Sequence, residues 1–423
     1  TPSTTPKSTT KLSTKSKTAT TTPSTTPKST TKLSTKSKTT MTTPSTTPKS
    51  TTKLSTKSVT TTTTPEPELK EVLCTVGHSA VTTNMYPPEF PCDYLYYTSV
   101  VILKKEVMAT EVQTSWTTFK AMAKNYTRLI SGMSFDYRYF SHQQLQPAIP
   151  TLNALAQARI GSYGILNIVA SPEDLRTAVY KMRQGIQTLK RWQSTNPARR
   201  SVIALGSTDY SGENYTDTFK NLVKSVINDF KIDTVIAISS VGAIDTQAGC
   251  YSVPPTVFSS PMARFPSLST HWELISLKMA YIKNATAGLS FEMGTMTYWL
   301  KAQASNFTGS FYQRCEYLTM TSRDAVCGTS PAQYQEGDYY IYGGFVANNS
   351  QQGVAFADYN MSGQKKWEKA RRDGEAKGLK LRRRVAIMLF NVHLEDIDKK
   401  CSVAPFAVET RICEALKGAG KCQ

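Results

Sequence analysis

The chain is poor in the residues that most enzymes use to hold metals or pass protons. It has four histidines in 423 residues, scattered at His78, His142, His271 and His393. They form no HExxH pair and no Ser-His-Asp order, and a solitary histidine is more often a packed or exposed side chain than a ligand. None of the eight cysteines stands in a CxxC pair, so the short paired spacing of zinc sites is missing too. No metal site and no cofactor is expected. No Gly-rich phosphate loop follows the first strand-like run, which removes the nucleotide-binding signature. No apolar run reaches the roughly 18 residues that a membrane span needs. Positive charge is abundant but not spread over a folded face. Of the net +19, residues 1–64 carry +11, and residues 365–384 hold ten basic residues against Glu368, Asp373 and Glu375. That distribution excludes a uniformly basic nucleic-acid-coating protein, and no nucleic-acid partner is expected.

Residues 1–64 contain no acidic residue, no aromatic residue and no cysteine. They repeat with a period of 21, each copy opening on TPSTTPKSTTKLSTKSK or a near variant. Outside Thr, Ser, Pro and Lys the segment offers only Leu12, Ala19, Leu33, Met41, Leu54 and Val59. So little apolar surface does not offset the entropy of ordering a chain, and no solenoid face can be built from it. Ser/Thr-rich sequence with regular Pro reads as a disordered, mucin-like, O-glycosylated stalk. Residues 65–70 read as a linker, and 71–423 as one folded domain.

The cysteines, Cys74, Cys92, Cys250, Cys315, Cys327, Cys401, Cys413 and Cys422, all follow the repeats. Six N-glycosylation sequons accompany them, at Asn125, Asn214, Asn284, Asn306, Asn348 and Asn360. Eight unclustered cysteines, six sequons and a Ser/Thr/Pro segment together point to a secreted, extracellular glycoprotein. The sequence begins at Thr1 with no signal peptide in view, which reads as a mature form or a fragment.

Strand-like runs alternate with helical stretches along the rest of the chain. The strand-like runs are Val72 to Val76, Tyr94 to Leu103, Gly132 to Tyr139, Tyr163 to Val169, Ser201 to Gly206, Thr234 to Ile238, Ala287 to Met293 and Val385 to Val392. Helices are expected over Trp116 to Leu129, Ala148 to Ala158, Ser171 to Trp192, Asp217 to Phe230, Trp272 to Tyr281 and Gln364 to Lys377. The SPED sequence at 171–174 is a strong start: Ser171 caps, Pro172 suits the first turn, and the acids favour the dipole. Runs such as VIAL, TVIAI and VAIML are apolar on both faces, as strands of a closed parallel sheet are. The reading is α/β, a (β/α)8 TIM barrel, with a doubly wound open sheet as the alternative.

The segments CDYLYYTSVVI at 92–102 and VAIMLFNVHLEDIDKKC at 385–401 resemble the second and eighth barrel strands of family 18 glycoside hydrolases, the chitinases. The resemblance spans roughly residues 71–423 and, with the repeats, is similar to secreted arthropod and arachnid chitinase-like mucins. It implies a bridge from Cys74 to Cys92, flanking adjacent strands that lie about 4.8 Å apart. Cys315 and Cys327 enclose one excursion after the seventh strand and are expected to close it. Cys250, Cys401, Cys413 and Cys422 are left for two further bridges of open connectivity.

In that family the fourth strand ends in DxxDxDxE, whose last Glu is the general acid. No such motif occurs here. By strand count Ala170 stands at the acid position, and a rival alignment on residues 219–240 puts Ser240 there. The family's aromatic floor on the eighth strand corresponds to Phe390. If the chain is active, Asp136, Asp209 and Glu292 are the strand-end carboxylates available, with Glu395, Asp396 and Asp398 beyond strand eight. Each is as readily a helix cap or an ion-pair partner, and Asp136 is placed to pair with Arg138. Tyr97, Tyr137, Tyr139 and Phe390 are the candidate glycan-stacking rings, weighed against plain barrel–helix packing. The basic stretch at 365–384 is a candidate polyanion contact, weighed against a solvated helix face. The sequence therefore points to a secreted, non-catalytic, chitin-type glycan-binding module, with a hydrolase using a rearranged carboxylate as the alternative.

Mass spectrometry of secreted material should find most repeat threonines and serines within 1–64 carrying O-linked sugar. Unmodified repeats would remove the mucin reading.

Overall fold

The computed structural model describes residues 69–193, 196, 198–211, 213–241, 249–260, 262–278, 285–300, 312–323, 326, 333–337, 342–348, 353–358, 362–379, 384–400 and 404–422. The repeats, and with them the stalk reading, lie outside these residues.

The first half of the chain runs β1 (Leu69–Val76), β2 (Tyr94–Leu103), β3 (Glu106–Ala109), α1 (Gln113–Asn125), β4 (Ile130–Phe135), α2 (His142–Leu145), α3 (Ile149–Gln157), β5 (Ile160–Ala170), α4 (Pro172–Lys181), α5 (Arg183–Gln193), β6 (Ser201–Ser207) and α6 (Glu213–Asn228). The second half runs β7 (Thr234–Ala237), α7 (Leu268–Glu273), β8 (Thr286–Glu292), β9 (Thr295–Leu300), β10 (Cys315–Thr321), β11 (Gln333–Gly337), β12 (Tyr342–Asn348), β13 (Gly353–Asp358), α8 (Ser362–Ala376), β14 (Arg384–Phe390) and α9 (Ala407–Lys417).

Strands β1, β2, β4, β5, β6, β7, β8 and β14 pair in parallel in that order, and β14 returns to β1. The sheet is closed and helices surround it: a (β/α)8 TIM barrel. Its eight strands are the eight runs read from the sequence. β1 starts at Leu69, inside the stretch read as linker. β3 folds back on β2 as an antiparallel hairpin outside the barrel. The stretch read as one helix over 171–192 is two, meeting at Met182, whose amide bonds back to Val179 at 3.2 Å in a tighter turn. Ser171 does cap the first of them, accepting the Asp174 amide at 3.1 Å.

Alternation along each strand sorts side chains into two cores. Leu73, Tyr94, Tyr96, Leu166, Val169, Val202, Ala204, Ile236, Ile238, Ala386, Met388 and Phe390 fill the barrel interior. Residues of the opposite parity, such as Val72, Cys74, Val235 and Ile387, pack outward against the helices. The Tyr96 ring is fully buried inside the barrel. It fits because Gly132 on β4 has no side chain, where a Cβ would lie 2.7 Å from that ring. At the N-terminal end of the barrel the Tyr94 and Tyr96 hydroxyls donate to the Ala198 and Arg200 carbonyls. Arg200 pairs with Glu71 at 3.2 Å. Burial holds the Glu71 carboxyl above its usual range, and Arg200 pulls it back down.

A second sheet interrupts the barrel between β8 and α8. It is antiparallel, in the order β10-β9-β13-β12-β11. The sequence reading places no strand in this stretch, only an excursion after the seventh strand. Met296, Tyr298 and Leu300 on one face of β9 join Cys315, Val253, Val257 and Phe265 in a separate core. That packing corrects the expected Cys315–Cys327 bridge. Cys315 opens β10, its amide donates to the Cys250 carbonyl at 3.0 Å, and its sulfur is bonded to Cys250, with Cα atoms 4.9 Å apart. The connection after β7 lies against the sheet and supplies the partner that chain order hid. Cys74 is bonded to Cys92, and Cys413 to Cys422. Cys327 and Cys401 lie outside the described residues.

A Cβ at Gly288 would meet the Ala386 backbone oxygen at 2.6 Å and the Ile236 side chain at 2.5 Å. The strands on either side cannot both retreat. Gly288→Ala should lower stability by about 1–3 kcal/mol, the usual cost of overpacking. The readout is a lower urea midpoint at unchanged slope; an unchanged midpoint would show that the barrel interior is looser than described.

Candidate functional site

In a barrel of this kind chemistry belongs at the C-terminal ends of the strands. Here those ends are Val76, Phe135, Ala170, Ser207, Ala237, Glu292 and Phe390, with β2 contributing Tyr97 just ahead of its bulge against β4. The decisive strand is β5. Its inward positions near the mouth are Leu166 and Val169, both part of the apolar interior, while Ala170 packs against the outer core. No proton donor stands on β5 at the mouth. The rival position, Ser240, is fully buried and shares a 2.8 Å hydrogen bond with Ser290 Oγ. Ser239 donates to the Ser290 carbonyl at 2.8 Å, so three hydroxyls stitch the mouth ends of β7 and β8 together.

The fallback carboxylates are each engaged, and on different strands. Asp136 follows β4 and is buried. Its two oxygens hold Arg138 at 3.0 and 2.6 Å, the pairing the sequence suggested. Burial alone would raise its carboxyl, but the Arg138 bonds and the Asn167 side chain bring it below the usual range. Asp209 is exposed, and its Oδ1 accepts the Ser211 amide at 2.8 Å and hydroxyl at 2.6 Å in a tight turn. Glu292 closes β8 from inside the fold. Its Oε1 accepts the Gly294 amide at 3.0 Å, and Asn391 Nδ2 donates to both oxygens at 3.1 Å. Asn391 itself sits in the left-handed region (φ 58), with its amide on Thr75 Oγ1. Sequence reasoning missed Asn391, although an Asn directly after a strand is the residue that best tolerates this conformation. Thr256 Oγ1 accepts the Glu292 amide, and the Thr256 carbonyl accepts Lys366 Nζ at 2.6 Å.

Beyond β14, Glu395 is fully buried beside Arg323 at 3.5 Å and accepts the Val408 amide at 2.8 Å. Asp396 accepts the Lys400 amide, and Asp398 is exposed. Among the described residues no group of three or more His, Cys, Asp or Glu is placed to hold a metal ion. Two histidines are structural: His271 bonds the Ser267 carbonyl and the Tyr215 hydroxyl, and His393 bonds Ser79 Oγ at 2.8 Å.

The candidate stacking rings separate. Phe390 lies in the barrel interior at the mouth end of β14. Tyr137 is half-buried and donates to the Val169 carbonyl at 3.1 Å, at the mouth end of β5. Tyr139 is 57 % exposed. Tyr97 is a correction: it faces outward, its ring lies 5.1 Å from Trp116 and 5.4 Å from Phe119, and its hydroxyl bonds Ser115. Regular alternation sets this parity, with Tyr94 and Tyr96 inward and Leu95 and Tyr97 outward, so Tyr97 anchors α1 rather than a sugar. In the basic stretch, Lys366 is buried, while Lys369 pairs with Asp373 and Arg371 with Glu375 along α8. Residues 380–383 lie outside the described ones. Of the sequons, Asn125 is exposed at the end of α1; Asn284, Asn306 and Asn360 are not described, nor are the side chains of Asn214 and Asn348.

No protein-family profile and no curated protein matches the chain in sequence. Solved structures do match its fold. Human YKL-39, a pseudo-chitinase with retained chitooligosaccharide binding properties, superposes with a TM-score of 0.56 at 11% identity, over 82% of this chain and 99% of that one. Catalytic domain 2 of the Ostrinia furnacalis Group II chitinase gives 0.56 at 10% identity, over 82% and 96%. An immunomodulatory active chitinase of Trichuris suis gives 0.51 at 10% identity, over 82% and 98%. The barrel with its inserted sheet is thus a chitinase-like fold.

Buried titrating groups give the stability of this region a pH dependence. Burial pushes the His393 imidazole down to about 3, and nearby His78 adds to the effect. Burial likewise pushes His271 down to about 4. An unfolded histidine titrates near about 6.5. Between these values the unfolded chain binds more protons, so stability is lost as pH falls through the window. Glu395 has the opposite sign: burial, against Arg323, lifts it from 4.5 to about 7, and its contribution is lost as pH rises through that range. His393→Asn should therefore flatten the fall in stability between pH 6 and 4.5, by about 1.4 kcal/mol per pH unit. Urea midpoints measured across that range give the answer; an unchanged slope would mean His393 is not held neutral in the folded protein.

Proposed function

We propose that this chain is a secreted glycoprotein whose chitinase-like barrel binds chitin-type oligosaccharides and does not cleave them. The observation that carries the reading is the apolar mouth of β5, with Val169 inward and Ala170 outward. Cleaving a glycosidic bond needs a proton delivered to a poor leaving group, and a missing general acid forfeits roughly 10²–10⁴ in rate. The resemblance places the carboxylate that orients the substrate's own nucleophile on the same strand, so both functions are absent together. Binding needs less: a concave mouth and rings for the apolar faces of sugars. Phe390 at the end of β14 and Tyr137 and Tyr139 after β4 supply rings near it. Human YKL-39, of the same fold, retains chitooligosaccharide binding as a pseudo-chitinase. Three disulfides among the described residues and the exposed sequon at Asn125 support secretion. The polyanion reading of residues 365–384 is weaker than it was in sequence, because Lys366, Lys369 and Arg371 already have partners.

The second reading is a hydrolase using Glu292, favoured by the placement of a buried carboxylate at the mouth end of β8. Its oxygens already accept hydrogen bonds from Gly294 and Asn391, which suits a structural acceptor better than a proton donor.

A paired assay on the purified protein separates the two. Chitooligosaccharide should bind without turnover of the fluorogenic substrate above a matched blank. The exposed Tyr139→Ala, which cannot disturb the core, should weaken binding about threefold to tenfold, with Phe390→Ala weakening it further. Turnover abolished by Glu292→Gln would establish the hydrolase instead, and loss of both turnover and binding would remove the glycan-binding reading.

A further inference from the structure

On the outside of the barrel, away from the strand ends, a groove of about 410 Å³ opens between α4 and α6. The crevice between neighbouring barrel helices is ordinarily filled by apolar side chains from both. Here α6 does bury Phe219, Leu222, Val223, Val226 and Ile227. The stripe it turns toward α4 is mostly polar instead: Thr218, Asn221, Lys224, Ser225 and Asn228 recur at helical spacing and line the groove, with Leu222 at its base. From α4, Arg176 and Tyr180 stand one turn apart and form the facing wall.

The aromatic wall is fixed in place. The Tyr180 hydroxyl shares a 2.9 Å hydrogen bond with Ser225 across the groove. Its ring meets Phe230 edge-on at 6.1 Å, yet 38 % of the residue remains exposed. The Arg176 guanidinium lies 5.8 Å from the centre of the same ring. Arg176 and Lys224 form no salt bridge among the described residues, and the Asn221 and Asn228 amides form no hydrogen bond there. Asp229, at one end of the groove, is the one carboxylate lining it, so the lining carries one net positive charge.

We propose that this groove binds an acidic saccharide, a pyranose carrying a sulfate or a carboxylate. The held tyrosine face offers the apolar side of a sugar ring a stacking surface. The two cations, one of them a planar guanidinium, take the anionic substituent. Side-chain amides and the Asp229 carboxylate are complementary to ring hydroxyls, which both donate and accept. The volume sits at the lower end of the roughly 300–1,000 Å³ typical of ligand pockets, which fits one or two sugar units rather than an extended chain. The site is separate from the barrel mouth and does not depend on the mouth binding anything.

The test is calorimetric titration of the intact glycoprotein with N-acetylglucosamine 6-sulfate and with glucuronic acid, beside uncharged N-acetylglucosamine and inorganic sulfate. At least one acidic sugar should bind more tightly than either control, and more weakly as salt is raised from 50 to 200 mM. The double variant Arg176→Gln/Lys224→Gln should lose at least tenfold in affinity, and Tyr180→Phe, which keeps the ring, should lose much less than Tyr180→Ala. All three positions are exposed, and unchanged thermal unfolding of the double variant confirms that it is folded. Uncharged chitooligosaccharide binding should be the same in the double variant as in the parent, which keeps this outcome distinct from that of the mouth. Failure of both acidic sugars, inorganic sulfate binding as tightly as the sugar sulfate, or indifference to the double variant would each overturn the proposal.

Discussion

A closed barrel of eight strands must be filled from within, and here two tyrosines do much of the filling. Tyr94 and Tyr96 both project inward from β2, and the second is accommodated by the missing side chain at Gly132. Their hydroxyls are satisfied at the N-terminal end, on the Ala198 and Arg200 carbonyls, where Arg200 also meets Glu71. The lower barrel is therefore filled by these rings, and the tyrosine hydroxyls tie β2 to the backbone ahead of β6. Anything that binds along the axis rests on the layer above, where Val169, Ile238, Met388 and Phe390 form an apolar floor.

That floor bears directly on chemistry. A carboxylic acid acts as a proton donor when a partly apolar site keeps it protonated near neutral pH. The mouth provides the apolar surroundings but no acid on β5, and the carboxylates on neighbouring strands are bound to partners. Asp136 is locked to Arg138, Asp209 is tied up in its own turn, and Glu292 is held by Asn391 and Gly294. Hydroxyls at the ends of β7 and β8 are spent on each other.

The barrel strands were legible because each is buried on both faces, which writes continuous β-branched and aromatic runs into the sequence. The cap at Ser171 was legible because it is purely local. The inserted sheet was not. Its strands, such as TMTYWL at 295–300 and CEYLTMT at 315–321, alternate as strands should, but β9 takes β13 as its second neighbour, more than fifty residues on, a pairing that no local pattern announces. The same blindness explains the disulfide: Cys250 and Cys315 are 65 residues apart, and only the packing of the β7 connection against β9 and β10 brings them together. Tyr97 was misplaced for a smaller reason. It follows the plain alternation of β2, with Tyr94 and Tyr96 inward, and a ring on the outward face serves the surrounding helix. The lack of a DxxDxDxE string is a property of the sequence itself, whereas the role of Asn391 and the polar groove between α4 and α6 arise only from tertiary placement.

The way β1 is anchored has a mechanical meaning. Tension applied to the segment ahead of Leu69 enters the fold through β1, which is bonded in parallel to β14 on one side and β2 on the other. Pulling along such a strand loads both ladders in shear, so many hydrogen bonds must yield together rather than one after another. Cys74 adds a covalent tie to Cys92. Asp93, next to that cysteine, accepts the Val72 amide at 2.8 Å and grips Lys417 of α9. The force path therefore runs from β1 into α9 before the barrel can open.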